Sequence, residues 1–337
     1  MKRAGYVAFV IGVALLALLM LRADWPVLFN ALKTMGSGGL LVLVLLHLPV
    51  IASAGVAWWY FGRGLPGATL SAFVRARLVR DSVAVALPFS QIGGFAAGIR
   101  ALTVTGVPAV YCGLSMFVDL VAELAALFPY AAMGLITLFV VAPASGLLRP
   151  LAIGASAVTA AMIAGWIQRG RVANWLQAPI RSIVARFTGT GRDSLAQLRQ
   201  SFGSIDLSSH AVAANLALHF GRWAIGAVET WLAFALMGTP ISLGDALVID
   251  SIVAALRIFA FMVPAAIGVQ EGLYILACGA VGLPPAIALA YSFAWRARDL
   301  LIGFLGLAVW HSVETTSQGK RNGPPPRANA SPLQGVS

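Results

Sequence analysis

Residues 38–61 read Gly-Gly-Leu-Leu-Val-Leu-Val-Leu-Leu-His-Leu-Pro-Val-Ile-Ala-Ser-Ala-Gly-Val-Ala-Trp-Trp-Tyr-Phe, with no Asp, Glu, Lys or Arg among them. A spanning helix needs about 20 apolar residues to cross the hydrocarbon core of a bilayer. The run shows no period-two alternation, which excludes a barrel strand. Backbone groups in lipid find no water, so a helix that bonds its own amides is the remaining solution. Further runs of this kind lie at 6–21, 82–105 (broken), 108–128, 130–142, 151–167, 209–237, 241–263, 272–295 and 300–313.

Composition agrees with that reading. The 337 residues are 59% hydrophobic and 10% charged, with mean hydropathy +0.87. A soluble domain carries about a quarter charged residues, so lipid must wet this outer face. The expected fold is an all-α, polytopic integral membrane protein with about eight to ten spanning helices. Residues 1–313 form its membrane domain, and 314–337, rich in Pro, Gly, Asn and Ser, a disordered cytoplasmic tail. The first run follows Lys2 and Arg3 and lacks a small-x-small cleavage site, so it reads as an uncleaved helix.

The net charge is +11, yet its placement argues against nucleic acid as a partner. Basic residues sit in short connections: Arg75, Arg77 and Arg80; Arg169, Arg171, Arg181, Arg186, Arg192 and Arg199; Lys320, Arg321 and Arg327. That is the positive-inside pattern of a multi-pass protein of the cell inner membrane. Within the polar connection 168–208, Trp175, Leu176, Ile180, Ile183, Val184 and Phe187 fall at helical spacing. Two readings stay open there: an amphipathic helix on an anionic leaflet, or one packed on the protein. Cys112 and Cys278 lie inside apolar runs as small packing residues.

The chain also echoes itself. Leu87-Pro88-Phe89-Ser90-Gln91-Ile92-Gly93-Gly94 corresponds to Val263-Pro264-Ala265-Ala266-Ile267-Gly268-Val269, and Gly106-Val107-Pro108 to Gly282-Leu283-Pro284. The interval from Pro88 to Pro108 equals that from Pro264 to Pro284, and Glu123 and Asp299 follow at matched distances. Broken or re-entrant segments at equivalent places in two halves (here 82–128 and 263–299) point to a transporter-type binding site. Pro88, Gly93, Gly94, Pro264, Gly268 and Gln270 mark the breaks.

Of 12 acidic residues, Asp119, Glu123, Glu229, Asp245, Asp250, Glu271 and Asp299 fall in or against apolar segments. A charge at the bilayer centre costs at least about 2.5 kcal/mol, so each needs a partner, a proton or a wet cavity. Asp119 and Glu123 share a helix face. Arg222 with Glu229, and Asp250 with Arg257, repeat a seven-residue spacing that fits structural ion pairs. Asp245 reads as a cap, and His47, beside Pro49, as a hydrogen-bonded packing residue. Glu271 lies at a predicted helix start, where capping and function are both open.

There is no phosphate-binding Gly-x-x-x-x-Gly-Lys-Ser/Thr, no His-Glu-x-x-His and no Gly-x-Ser-x-Gly. His47, His210, His219 and His311 show no zinc spacing. No cofactor or metal is expected. Leu87-Pro88 with Ile92-Gly93-Gly94, Arg100, Gly106, the Asp119/Glu123 helix, Val263-Pro264-x-x-Ile-Gly-Val-Gln-Glu271-Gly, Gly282-Leu283-Pro284 and Arg296-x-Arg298-Asp299 together resemble the transmembrane-region family of lysylphosphatidylglycerol synthase. The resemblance extends from about Tyr6 to Val313 and is strongest to the branch associated with hopanoid biosynthesis. It implies a flippase-like membrane domain with a lipid substrate; aminoacyl-lipid synthesis is not expected, since the chain ends shortly after Val313.

The leading expectation is therefore a non-enzymatic lipid translocator, for hopanoids or polar phospholipids. Arg100, Arg222, Arg257 or Arg298 would meet a phosphate. Glu271, Asp119 and Glu123 would meet a cationic headgroup or a coupling proton, with Glu229 and Asp299 lining the same path. Two alternatives stand beside it: an accessory protein that scaffolds lipid-biosynthesis enzymes, and a lipid-modifying membrane enzyme using Asp119 and Glu123 as acid and base.

Overall fold

The computed structural model describes residues 2–86, 90–168, 203–259, 263 and 266–322. Among these residues all regular structure is helical, in ten helices: α1 Lys2–Leu21, α2 Trp25–Gly62, α3 Leu70–Ala86, α4 Ser90–Thr103, α5 Ala109–Val141, α6 Leu148–Ile167, α7 Ser209–Leu236, α8 Leu243–Arg257, α9 Val269–Ala280 and α10 Pro285–Asn322. The protein is an all-α polytopic membrane protein. Pro88, Pro264, most of the polar connection and the end of the tail lie outside the described residues.

Local chemistry sets the helix ends. Asp24 caps α2 by accepting from the Val27 amide, with Pro26 in the first turn. Ser208 caps α7 through the Ala211 amide. Ser242 and Asp245 cap α8 reciprocally, as the sequence predicts for Asp245. Inside α2, Gly36 leaves helical geometry at φ 59°, which glycine does without a Cβ penalty.

Four boundaries differ from expectation. The runs 108–128 and 130–142 form one helix, α5, which continues through Pro129. Neighbouring helices and local adjustment re-satisfy the freed carbonyl in membrane proteins. The break predicted between 295 and 300 is absent; the turn comes earlier, at Gly282 (φ 80°) before Pro284. α10 runs past Glu314 to Asn322, into the stretch expected to be a tail. Finally, Arg77 and Arg80, expected in a connection, lie inside α3 and are buried.

The packing reveals two related halves. α4 folds back on α3, with Gly94 against the Arg80 carbonyl and Ala84, and Gly98 against Ala76 and Arg80. α5 then turns back along α4, placing Cys112 beside Thr103. The second half repeats this order: α8, a break, α9, then α10 returning along α9 through Tyr274–Tyr291 and Glu271–Arg296 contacts. One offset relates Gly106 (φ 105°) to Gly282 and Ala109 to Pro285. The halves interlock: α10 packs on α3 and α5 on α8, while α2 lies against α3 and α10, and α7 against α5 and α8.

The second half is inverted. α10 runs antiparallel to α3, because Ser82 meets Ile302 while Leu78 and Ser82 meet Gly306. α8 runs antiparallel to α5, because Asp250 meets Tyr130 while Gly244 lies beside Thr137 and Val141. Since α5 and α3 run the same way, α3 and α8 point in opposite directions. The hairpin α3–α4 begins and ends at a basic face, where Arg63 pairs with Asp206, Gly67 touches Thr105 and Arg100 pairs with Glu314. The hairpin α8–α9 opens to the other face. Its break is covered by α1, whose Gly12 abuts the Ile267 carbonyl and Gly268.

Only α2 and α5 are, each alone, long and apolar enough among the described residues to cross a membrane; α1 and α4 carry shorter apolar runs. α7 and α10 fall short because they carry ionic side chains, which the packing buries against one another. Outward-facing Leu41, Leu45, Ile136, Phe139, Val140 and Phe304 are exposed, as lipid-facing positions must be. The core joins Leu28, Phe234, Ile249, Tyr274 and Tyr291, with a second cluster at Trp58, Phe73, Leu102 and Met116. At the α5–α8 crossing Gly134 touches the Ser251 side chain so closely that a Cβ has no room. Gly134→Val should lower unfolding stability in detergent by about 1–3 kcal/mol, read as a lower melting temperature. An unchanged melting temperature would show that the crossing relaxes freely.

Candidate functional site

Three helices converge on the first charged cluster. α3 supplies Arg77, Arg80 and Asp81, α5 Asp119 and Glu123, and α7 Asn215, His219 and Arg222. Arg77 is only 2% exposed. Its Nη1 donates to Asp119 Oδ2 (3.3 Å) and Glu123 Oε2 (3.1 Å), its Nη2 to both Glu123 oxygens, and its Nε to Asp81 at 2.8 Å. Arg222 Nη1 reaches Glu123 Oε1 at 2.6 Å. Asp119 Oδ1 accepts from Asn215 Nδ2 (2.9 Å) and lies 3.0 Å from His219 Nε2.

Three guanidiniums thus face three carboxylates, and formal charge closes with His219 neutral. Buried charge is tolerable only under such pairing. Asp119, Glu123 and His219 each offer a ligand atom within 4.8 Å of the others. Arg77 and Arg222 occupy the same oxygens, so the set fits guanidinium binding, not a metal cation. Some capacity is left over: the buried Arg80 Nη1, Asn215 Oδ1 and His219 Nδ1 have no partner among the described residues. Arg80 also lies over the Phe95 ring, 4.6 Å from its centre.

The second cluster joins α2, α7 and α10. Arg298 Nη1 donates to Glu229 Oε2 at 2.7 Å and Nη2 to Asp299 Oδ1 at 2.7 Å. The Trp295 ring covers the Arg298 guanidinium at 3.6 Å, a cation–π contact that gains strength where water is excluded. His47 Nδ1 sits 3.0 Å from Glu229, so the expected hydrogen-bonded histidine is there, with a carboxylate partner. Beside this cluster, Asp250 accepts from Tyr130 at 2.6 Å and from Thr230 at 3.5 Å. Arg257 makes no ion pair within 4 Å among the described residues, though its charge acts on Asp299.

Glu271 is fully buried at the start of α9. Its Oε2 accepts from the Gly268 amide at 2.8 Å, so it is a cap. Its Oε1 also takes Arg296 Nε at 2.6 Å and Ser292 at 3.3 Å. The Arg296 side chain, 26% exposed, links this carboxylate to the surroundings. Next to it the buried Gln270 Nε2 and Trp295 Nε1 lack partners among the described residues. The break itself carries Gly268 at φ 76° and Ala266 at φ 49°, strain of the kind stored at functional sites.

Several sequence expectations are redistributed. Arg222 and Glu229 do not pair with each other, nor do Asp250 and Arg257; Arg222, Glu229 and Asp250 find their contacts on other helices. Arg100 stands apart from both clusters, its side chain 51% exposed and paired with Glu314 at 2.9 Å. Arg77, Arg80, Asn215, His219, Tyr130 and Arg296 join the sites without having been singled out from sequence as binding residues. Gly93 is loosely packed, whereas Gly94 and Gly268 occupy close approaches that a side chain would block.

Among known proteins, a family model described as the lysylphosphatidylglycerol synthase TM region matches residues 6–306. No curated protein and no solved structure matches the chain.

Proposed function

Because the chain belongs to the lysylphosphatidylglycerol synthase transmembrane-region family, a membrane family of lipid handling, we propose that it moves lipids between the leaflets of an inner membrane without altering them covalently. One observation carries the reading above all: two helical hairpins enter from opposite faces, and the long helix of each half packs on the hairpin of the other. Inverted repeats of broken helices are how many transporters build a central site that opens to either side. The positive-inside pattern of the basic connections supports a cytoplasmic α3–α4 face.

In this reading the ionic clusters serve as polar stepping points inside an apolar shell. A phosphate would exchange into the guanidinium set of Arg77, Arg80 and Arg222, where Arg80 holds an unused donor. Acyl chains or a hopanoid body would stay against the outward apolar side chains. Arg298 and Arg296 offer the same chemistry in the second half. The oxygens of Asp119 and Glu123 are taken up by guanidinium and amide donors, which speaks for charge pairing over acid–base catalysis.

The test is reconstitution of the purified chain in vesicles with headgroup-labelled phospholipids and, separately, a labelled hopanoid. Leaflet exchange should rise at least about tenfold over protein-free vesicles, a barrier reduction of about 1.4 kcal/mol. Equal rates with and without protein for every lipid class would overturn the proposal.

A further inference from the structure

A census of the described carboxyl groups isolates one. Asp81, Asp119, Glu123, Asp206, Glu229, Glu271, Asp299 and Glu314 each have an arginine nitrogen within 4 Å. Asp24 and Asp245 cap helices near the surface. Asp250 alone is buried with no basic side chain of the described residues in that range. Its oxygens meet hydroxyls: Tyr130 at 2.6 Å and Thr230 at 3.5 Å.

An ionised carboxylate buried at membrane depth without a cation is costly, and neutralisation by a proton is the usual resolution. Two hydroxyl donors lessen that cost without removing it, so both charge states lie within reach. We propose that Asp250 is a proton-binding site and that its proton is the coupling ion of lipid movement. The coupling half of this inference rests on the translocation reading; the proton site does not.

Position gives the proton a lever. Asp250 sits where α5 of the first half crosses α8 of the second, with α7 against both. Thr230 on α7 bonds Asp250, the Gly226 carbonyl and Tyr291 of α10 (2.8 Å). Proton uptake forms one O–H bond at the carboxyl, removes its charge, and takes the proton from water, to which it later returns. The carboxyl then gains a donor and can give a hydrogen bond to Thr230 where it previously accepted one. That reversal is passed to Tyr291. Ionised Asp250 therefore favours one pattern across four helices, and protonated Asp250 another.

The other groups around it set the field. Tyr130 faces it from α5, Glu229 and Thr230 from α7, Tyr274 from α9, and Tyr291 and Arg298 from α10, with Asp245 and Arg257 on its own helix. Arg298 is engaged by Glu229 and Asp299 and acts on Asp250 only through its field, from beyond ion-pair distance. Gly226 lies close against the carboxyl, leaving space for its oxygens but none for a side chain.

Two measurements on the full-length protein test the proposal. In detergent, infrared spectra from about pH 5 to about pH 9 should show a protonated-carboxyl stretch that titrates in wild type and is missing in Asp250→Asn. Tyr130→Phe removes a hydrogen bond to the charged form, so its band should persist to higher pH. No band lost in Asp250→Asn, or a band that never titrates, overturns the proton site. In vesicles, a gradient of one pH unit should bias wild-type leaflet distribution by up to about tenfold per coupled proton, and Asp250→Asn should move lipid without that bias. An equal bias in the variant overturns the coupling. If wild type moves no lipid while the band titrates, the translocation reading fails and the proton site stands.

Discussion

Arg77→Met should cost about 3–5 kcal/mol of stability, the penalty typical of breaking a buried ion network from one side. The methionine fills similar space, so the loss isolates charge from volume. Arg77 is the hub: it bonds Asp81, Asp119 and Glu123 at once. Removing it leaves Asp119 with Asn215 and His219, and Glu123 chiefly with Arg222 at 2.6 Å. Glu123 has a second cation at 3.7 Å in Arg80, so Arg80→Met should cost less. Arg75, two residues from Arg77 and exposed, supplies the comparison. Arg75→Met should stay within about 0.5 kcal/mol of wild type. Equilibrium unfolding in mixed micelles measures all three. Near-equal costs for Arg75 and Arg77 would mean that the cluster is wet and screened, and the burial argument would fall with it.

That contrast also marks where sequence reading stops. Apolar length, Pro and Gly are local signals, so the membrane class, the two breaks and the matched halves were all readable before any coordinates. Arg75, Arg77 and Arg80 look alike in one dimension, and the positive-inside pattern sorted them together as loop residues. Burial separates them, and burial depends on α5 and α7 arriving from far along the chain. A hint was present in Arg77-x-x-x-Asp81, an i,i+4 pair that belongs on a helix. The paired spacing of Arg222 with Glu229 misled for a geometric reason. Seven residues share a face but stand about 10 Å apart along the axis, beyond ion-pair reach, so the partners came from other helices. The inverted sense of the second half could not be read at all, because a repeat in sequence has no direction in space until packing fixes it. Glu271 was half legible: its capping role is local, whereas Arg296 reaches it only after the turn at Gly282.

Glu271→Gln should separate these two roles of the carboxylate. The variant keeps the shape and an oxygen for the Gly268 amide, so the start of α9 should persist. It loses the charge that Arg296 meets through Nε and Nη2 at 2.6 and 3.2 Å. A hydrogen bond to a charged group contributes about 1.5–3 kcal/mol, and Arg296, partly exposed, can recover some of that from its surroundings. The stability cost should therefore fall near the lower end, well short of that of Arg77→Met. Translocation should suffer more, by at least about tenfold, because the strained break beside Ala266 and Gly268 is positioned through this contact. Adding Arg296→Gln gives the decisive double variant. With neither charge present, stability should return toward wild type, since the ion pair is then removed from both sides. Leaflet exchange should stay low, because the polar group at the second break is still missing. If the double variant regains both stability and exchange, the pair merely holds helices together. Should Glu271→Gln alone keep wild-type exchange, Glu271 is a cap and nothing more, and the path must run through the clusters at Glu123 and Asp299.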